Sequence, residues 1–353
     1  MTELLLFSAG LAAVLGGGEL LVRGAAQLAG RLGVSPLIIG LTVVAFGTSA
    51  PELAITLRAA FTEYAADLAL GNVVGSNIAN ILLVLGLAAT LAPIAVARRL
   101  IRIHVPVMIA VSLLVAGLAV AGDLGPAQGA VLLLALAAYL VLTVRWDRQQ
   151  VAPDEAPGDG SIPGAALRLL LGIPLLAGGS FLLVEAAAAI ATALGISELV
   201  IGLTLVAVGT SVPELATSLV AMARDDRQMA VGNAVGSNIF NLLAVLGCAA
   251  LLAPGGVHVA RQALVFDLPV MLAAAFACLP VFFTGHTIAR WEGVLFLGYY
   301  AVYCAFLFLA ATQHPALPLL SAAMLGLVIP LTVATLAVGA RRELRRRRPS
   351  LYR

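Results

Sequence analysis

Two glutamates stand where the chain is otherwise apolar. Glu52 lies in PLIIGLTVVAFGTSAPELAITL (36–57) and Glu214 in LVIGLTLVAVGTSVPELATSLV (199–220). An ionisable side chain in the middle of a membrane span costs at least about 2.5–3.5 kcal/mol, so its presence points to function. Around each Glu the sequence adds hydroxyls: Thr48 and Ser49 before the first, Thr210 and Ser211 before the second. Further on, Ser76 and Asn80 sit four residues apart, as do Ser237 and Asn241; that spacing puts each pair on one helical face. Every candidate ligand atom is oxygen, with no Cys or His among them. A hard-oxygen cage suits Ca²⁺, Na⁺ or Mg²⁺ and not the softer transition metals. Mg²⁺ demands strict octahedral geometry and keeps its waters, so a pocket of many oxygens favours Ca²⁺ and Na⁺. Two Glu supply the charge that balances one Ca²⁺ or two Na⁺.

Such a set needs helices that break at the site. Each Glu follows a Gly-Thr-Ser-x-Pro string, Gly47 to Pro51 and Gly209 to Pro213. Proline removes a backbone donor and glycine loosens the same turn, so the sequence predicts broken helices with freed carbonyl oxygens. Unwound backbone survives at membrane depth only where it lines a cavity or holds a ligand.

The same elements occur twice. GVSPLIIGLTVVAFGTSAPELA (33–54) aligns without gaps to GISELVIGLTLVAVGTSVPELA (195–216), with 16 of 22 positions identical. ALGNVVGSNIANILLVLGLAA (69–89) aligns in the same way to AVGNAVGSNIFNLLAVLGCAA (230–250). Chance similarity between apolar segments would match Leu, Ala and Val, not Gly, Thr, Ser, Pro, Glu and Asn in register. The chain is an internal duplication.

Composition sets the class. Of 353 residues, 61% are hydrophobic and 11% charged, against about 25% charged in a soluble domain. The mean hydropathy is +1.06. A soluble, collagen-like, disordered or disulfide-scaffold protein is excluded. Apolar runs predict spans near 3–30, 34–61, 67–91, 103–121, 125–144, 163–193, 196–222, 228–253, 262–283, 289–311 and 316–340. The N-terminal run is read as the first span, not as a removed signal peptide. The expected fold is an all-α polytopic membrane protein: two inverted five-helix repeats (ten transmembrane helices) plus an eleventh C-terminal span. Five spans per repeat is odd, so the second unit enters from the opposite side, a design suited to alternating access. The expected organisation is a first repeat at 1–144, with its motif at 40–86, and a charged cytoplasmic linker at 145–162. A second repeat follows at 163–311, with its motif at 202–247, and then the extra span and basic tail at 312–353.

All 20 basic residues are Arg, seven of them in the last thirteen positions. That tail reads as a topology anchor facing anionic lipid and not as a nucleic-acid site. Counted by connection, 17 Arg fall on one side and only Arg58 and Arg261 on the other. The heavy side is expected to be cytoplasmic, with the N-terminus outside, in a cell inner (plasma) membrane.

GTSAPE with GNVVGSNIAN, and GTSVPE with GNAVGSNIFN, resemble the two α-repeats of sodium/calcium exchangers in the calcium/cation antiporter superfamily. The resemblance covers the first ten spans. It implies a ten-helix inverted repeat that exchanges Na⁺ for Ca²⁺, with the first and sixth helices sliding as gates. Carried over by motif position, it implies ligands from Glu52, Glu214, the side chains of Ser49, Ser211, Ser76 and Ser237, and the amides of Asn80 and Asn241. It adds backbone oxygens near Ala45, Thr48, Ala207 and Thr210. Asn241 is an amide where some microbial members and the potassium-dependent branch carry Asp, which argues against K⁺ coupling. The eleventh span lies outside the usual ten.

The rival reading is a Ca²⁺/H⁺ antiporter of the same superfamily, whose repeats carry Asn where Thr48 and Thr210 stand. A channel or a membrane sensor is a reading from another class. Enzymatic motifs are missing, since no nucleophile–His–acid set, HExxH or phosphate loop occurs. No cofactor, nucleic acid or obligate protein partner is expected; the partners are Ca²⁺, Na⁺, H⁺ in the rival reading, and the lipid bilayer. Elsewhere, Glu19 is expected to pair locally with Arg23, and Asp225 and Asp226 to form a solvated turn. His104, His258, His286 and His314 read as wetted structural residues near span ends. Cys248, Cys278 and Cys304 read as inert packing.

Overall fold

The computed structural model describes residues 2–61, 66–148, 161–194 and 207–347. Among the described residues, nine helices are long and apolar enough to cross a membrane: α1 (Thr2–Leu32), α4 (Ala69–Leu91), α5 (Leu100–Val120), α6 (Pro126–Trp146), α7 (Ile162–Ala193), α9 (Arg227–Leu252), α10 (Ala263–Phe283), α11 (Arg290–Ala311) and α12 (Leu317–Gly339). A tenth span is broken into α2 (Pro36–Thr48) and α3 (Ala50–Ala60), which meet at 44°. Val212–Ala223, labelled α8, is the second half of the corresponding span in the other repeat. Most of its first half falls at 195–206, outside the described residues, as does most of the linker at 145–162.

The motif helices are central. Buried residues make up 78% of the most apolar stretch of α4 and of α9, against none of that of α12. Small residues explain the depth. A Cβ added to Gly236 would fall 2.7 Å from the Leu41 Cα, and one on Gly232 would fall 2.8 Å from the Leu37 carbonyl oxygen. Backbones approach that closely only where no side chain intervenes. The segment corresponding to 37–41 in the other half falls at 199–203, outside the described residues.

Three contacts show how the halves are related. Helices α1 and α7 pack through glycines: a Cβ on Gly10 would meet the Leu183 nitrogen at 2.7 Å, and one on Gly17 the Leu176 nitrogen at 2.5 Å. In return, Gly179 faces Val14 and Gly172 faces Leu21. Position rises along one helix as it falls along the other, so the pair is antiparallel. Gly10 and Gly172 are repeat mates, as are Gly17 and Gly179, and the contact is therefore its own two-fold image. Strands β1 (Ile94–Ala95) and β2 (Thr287–Ile288) pair antiparallel. Their counterpart is the isolated bridge between Leu124 and Val257. Mates that pack head to tail make the repeats inverted, as the odd number of spans requires.

The histidines correct one expectation. His104 is not wetted: it is fully buried, and its Nδ1 lies 3.2 Å from the Tyr139 hydroxyl. A π-bulge at Leu100–His104 carries it; the extra residue of a π-bulge rotates the face that follows. Its mate, Asp267, ends a π-bulge at Ala263–Asp267 and accepts from the Tyr303 hydroxyl at 3.0 Å. His258 lies in a loop and pairs with Asp123 at 2.9 Å. Glu19 pairs with Arg23 at 2.6 Å, as expected, and also with Arg224. The 225–226 turn has Asp225 at φ 59° and Asp226 capping α9 through Met229 N–H.

Candidate cation-binding site

The break in each motif span forms as proline chemistry requires. Ser49 sits at φ −80°, ψ 2° between α2 and α3, and Ser211 adopts φ −89°, ψ 3° before α8. Pro51 and Pro213 occupy the first turn of the half-helix that follows, and Glu52 and Glu214 share that turn. Pro51 cannot donate to the carbonyl four residues back, so Gly47 loses its helical partner, and Pro213 does the same to Gly209. Each carboxyl therefore sits at a half-helix N-terminus beside an interrupted backbone. The Ala45 carbonyl is less open, because it already accepts from Ser49 N–H at 3.0 Å and has the Thr48 hydroxyl at 3.2 Å. Ala207 opens the helical turn Ala207–Gly209.

Glu52 and Glu214 are both fully buried. Neither carboxyl oxygen of either residue has a hydrogen-bond partner. Also buried and unpartnered are Ser49 Oγ, Ser211 Oγ and both amide atoms of Asn80 and Asn241. Buried polar atoms are nearly always satisfied in native structures. Most of the exceptions among the described residues fall on the residues whose types and spacing suggested a cation cage. Asn80 and Asn241 each open a π-bulge, Asn80–Leu85 and Asn241–Val245.

The remaining hydroxyls join the halves. Thr48 Oγ1 lies 3.2 Å from Ser237 Oγ, and Ser76 Oγ lies 3.2 Å from Thr210 Oγ1. Thr48 and Ser76 belong to the first half, and their partners belong to the second. No three His, Cys, Asp or Glu side chains gather at any place among the described residues. The donor set fits a hard cation: two carboxylates, hydroxyls, amide oxygens and freed carbonyls, all of them oxygen.

Four asparagines were missed at the sequence level. The Asn72 amide donates to the Glu52 carbonyl at 3.4 Å and to Thr56 Oγ1 at 2.9 Å. Asn233 repeats this on the Glu214 carbonyl at 3.3 Å and Ser218 Oγ at 3.2 Å. Each therefore pins the turn that carries a Glu. Asn77 donates to the Asn238 carbonyl at 3.2 Å, and Asn238 donates to the Asn77 carbonyl at 3.3 Å. That reciprocal pair ties α4 to α9 where the halves meet. The signal that could have found them is the duplicated Gly-Asn-x-x-Gly-Ser-Asn string itself, in which these amides recur in register within apolar spans.

The chain matches the family described as sodium/calcium exchanger protein twice, over residues 2–145 and 164–309. It is 42% identical over 278 residues to the putative antiporter CaxA of Alkalimonas amylolytica, covering 76% of this chain and 86% of that one. It is 36% identical over 311 residues to the inner membrane protein YrbG of Escherichia coli, covering 85% and 94%. Among solved structures it superposes on the sodium-calcium exchanger NCX_Mj, soaked with Na⁺ in the absence of Ca²⁺, with a TM-score of 0.75 and 32% identity. That match covers 86% of this chain and 98% of the other. Two repeats, mirrored half-helices and an oxygen-lined centre coincide with these matches, and the chain belongs to the sodium/calcium exchanger family of multi-pass membrane cation/calcium exchangers.

Proposed function

We propose that this protein exchanges Na⁺ for Ca²⁺ by alternating access, with the cations held between Glu52 and Glu214. The observation that carries the reading is the pair of fully buried, unpartnered carboxyls, one from each half. Two uncompensated charges in a low-dielectric interior repel each other and have lost their hydration. Ca²⁺ or a set of Na⁺ removes both penalties and lets the site cross from one side to the other, whereas an empty site switches poorly. Exchange becomes obligatory for that reason. Ser49, Ser211, Ser76, Ser237, Thr48, Thr210, Asn80 and Asn241 complete the cage, with the backbone at Ala45 and Ala207 beside it.

Protons would also neutralise the two carboxyls, but a proton needs no cage. The unpartnered Ser49, Ser211, Asn80 and Asn241 atoms favour a metal cation as the coupling ion. The Arg-rich connections and tail support a cytoplasmic C-terminus and an external N-terminus in the plasma membrane. Purified protein in liposomes, loaded with Na⁺ and diluted into Na⁺-free medium with radiolabelled Ca²⁺, tests the coupling. Uptake is expected under a Na⁺ gradient at equal pH. Uptake driven by a pH gradient alone, and indifferent to Na⁺, would assign the exchange to protons.

A further inference from the structure

Helix α12, the span beyond the two family matches, closes one side of a cavity. The space measures about 400 Å³. It lies between Thr284 just past α10, Trp291 and Glu292 in the first turn of α11, and Leu336, Val338 and Gly339 at the end of α12. Three span ends bound it, which sets it at the depth of lipid headgroups, where indole rings concentrate. Trp291 is exposed, whereas Glu292 is only 2% exposed. The Glu292 Oε2 accepts from the Ala289 N–H at 2.8 Å and so caps α11.

Capping alone does not call for a charge. The repeat mate of Glu292 is Gln128, whose Oε1 accepts from the Gly125 N–H at 3.1 Å at the start of α6. The glycine after each residue confirms the register. A Cβ on Gly129 would fall 2.7 Å from the Gly247 carbonyl oxygen, and one on Gly293 2.7 Å from that of Gly86, the mate of Gly247. A neutral amide therefore makes the cap in the half without an extra span, and a carboxylate makes it in the cavity that α12 closes. A buried carboxylate needs a counter-charge, and the α11 dipole offsets only part of that need. Two residues past Gly339 begins a basic segment, RRELRRRR (341–348), with Arg341 exposed. An acid inside and bases just beyond complement a zwitterion with its cation inward and its anion outward. We propose that this cavity binds the head of a zwitterionic aminophospholipid and thereby joins α12 to α10 and α11. The primary ammonium meets the Glu292 carboxylate and the face of Trp291. The phosphate meets the basic segment, and the chains run along Leu336 and Val338. An anionic lipid would set its charge against Glu292, and a soluble amine would gain nothing from the apolar wall.

Trp291 reports the lipid directly. The chain has two Trp, so Trp146→Phe leaves one indole. This protein is placed in phosphatidylglycerol nanodiscs with a rising fraction of a brominated-chain lipid, which quenches a neighbouring indole. Brominated phosphatidylethanolamine is expected to half-quench Trp291 at a fraction about tenfold lower than brominated phosphatidylglycerol, the scale of one hydrogen bond to a charged group. Glu292→Gln, which installs the capping group of the other half, should bring the two fractions together. Gly339→Leu should do the same with Glu292 in place, because it fills the cavity; a Cβ there would meet only Thr284 Oγ1, at 3.8 Å. Glycerophosphoethanolamine, the same head without chains, should not relieve the quenching. Equal quenching by the two lipids before either substitution, a preference for phosphatidylglycerol, a preference for phosphatidylethanolamine kept in either variant, or relief by the soluble head would each overturn the proposal.

Discussion

In the proposed site Glu52 and Glu214 carry the chemistry, and each is expected to destabilise the cation-free protein. Replacing either by Gln keeps the shape and removes a buried charge. Glu52→Gln and Glu214→Gln are expected to abolish Ca²⁺ exchange while leaving the cation-free thermal midpoint equal or higher. In wild type, Ca²⁺ at about 100 times its dissociation constant adds roughly 2.7 kcal/mol of stability; in either variant that gain should vanish. Thermal unfolding with and without Ca²⁺ measures both, and a Ca²⁺-induced gain kept in either variant would place the ion elsewhere. Asn233→Ala removes the donor that holds the Glu214 carbonyl. It is expected to raise the half-saturating Ca²⁺ concentration roughly tenfold, on the scale of one lost buried hydrogen bond. The candidate ligands stood out in the sequence because a Glu in an apolar span needs a reason. The asparagines behind them were not, because an amide that pins a carbonyl looks the same in sequence as one that coordinates a cation. His104 was misread for a related reason: its place near a span end suggested water, while the π-bulge that buries it leaves no mark in a hydropathy profile.

Among the helices, the breaks and the close contacts are what the sequence chose. Pro51 interrupts the α2–α3 span, and Ser49 takes up the 44° turn. Pro51→Ala returns an N–H to the Gly47 carbonyl and favours a straighter helix. Exchange rate is expected to fall at least tenfold with Ca²⁺ binding weakened, read by flux and by calorimetric titration. The glycines of α1 and α7 are a stricter constraint. Gly17→Val drives a side chain into the Leu176 backbone, 2.5 Å from the position of its Cβ. Overpacking of this kind costs about 1–3 kcal/mol, and the thermal midpoint in detergent should drop accordingly; an unchanged midpoint would mean that the two helices are not in contact. Span positions were readable to within a few residues, since about 20 apolar residues are needed to cross. The π-bulges were not, because one extra residue in a turn leaves no mark in an apolar run.

At the scale of the whole molecule, duplication explains most of what is seen. Each candidate ligand has its mate in the other half, and several inter-half bonds have their image: Thr48 with Ser237 and Ser76 with Thr210, or Asn77 with Asn238 in both directions. That symmetry was legible from two aligned motifs. Of the departures, the eleventh span was expected from its apolar run, whereas the loop contacts were not, because they depend on which loops meet. One is the contact between Asp123 and the loop before α10. Val259 N–H and then His258 hold the Asp123 carboxyl below its ordinary range. A carboxylate with a depressed pKa stabilises the fold above its unfolded value, near 4, and loses that contribution as the pH falls further. Asp123→Asn should therefore flatten the decline of the thermal midpoint between about pH 5 and pH 3. A second departure is α12, whose most apolar stretch buries nothing and which lies beyond the family match. A chain ending before Leu317 is expected to keep Na⁺-driven Ca²⁺ uptake. The most direct trial of the central claim is equilibrium binding of Ca²⁺ to the purified protein. The account predicts a single Ca²⁺ per chain, displaced by Na⁺ and lost in Glu52→Gln and in Glu214→Gln; Ca²⁺ held equally well by both variants, or indifferent to Na⁺, would contradict it.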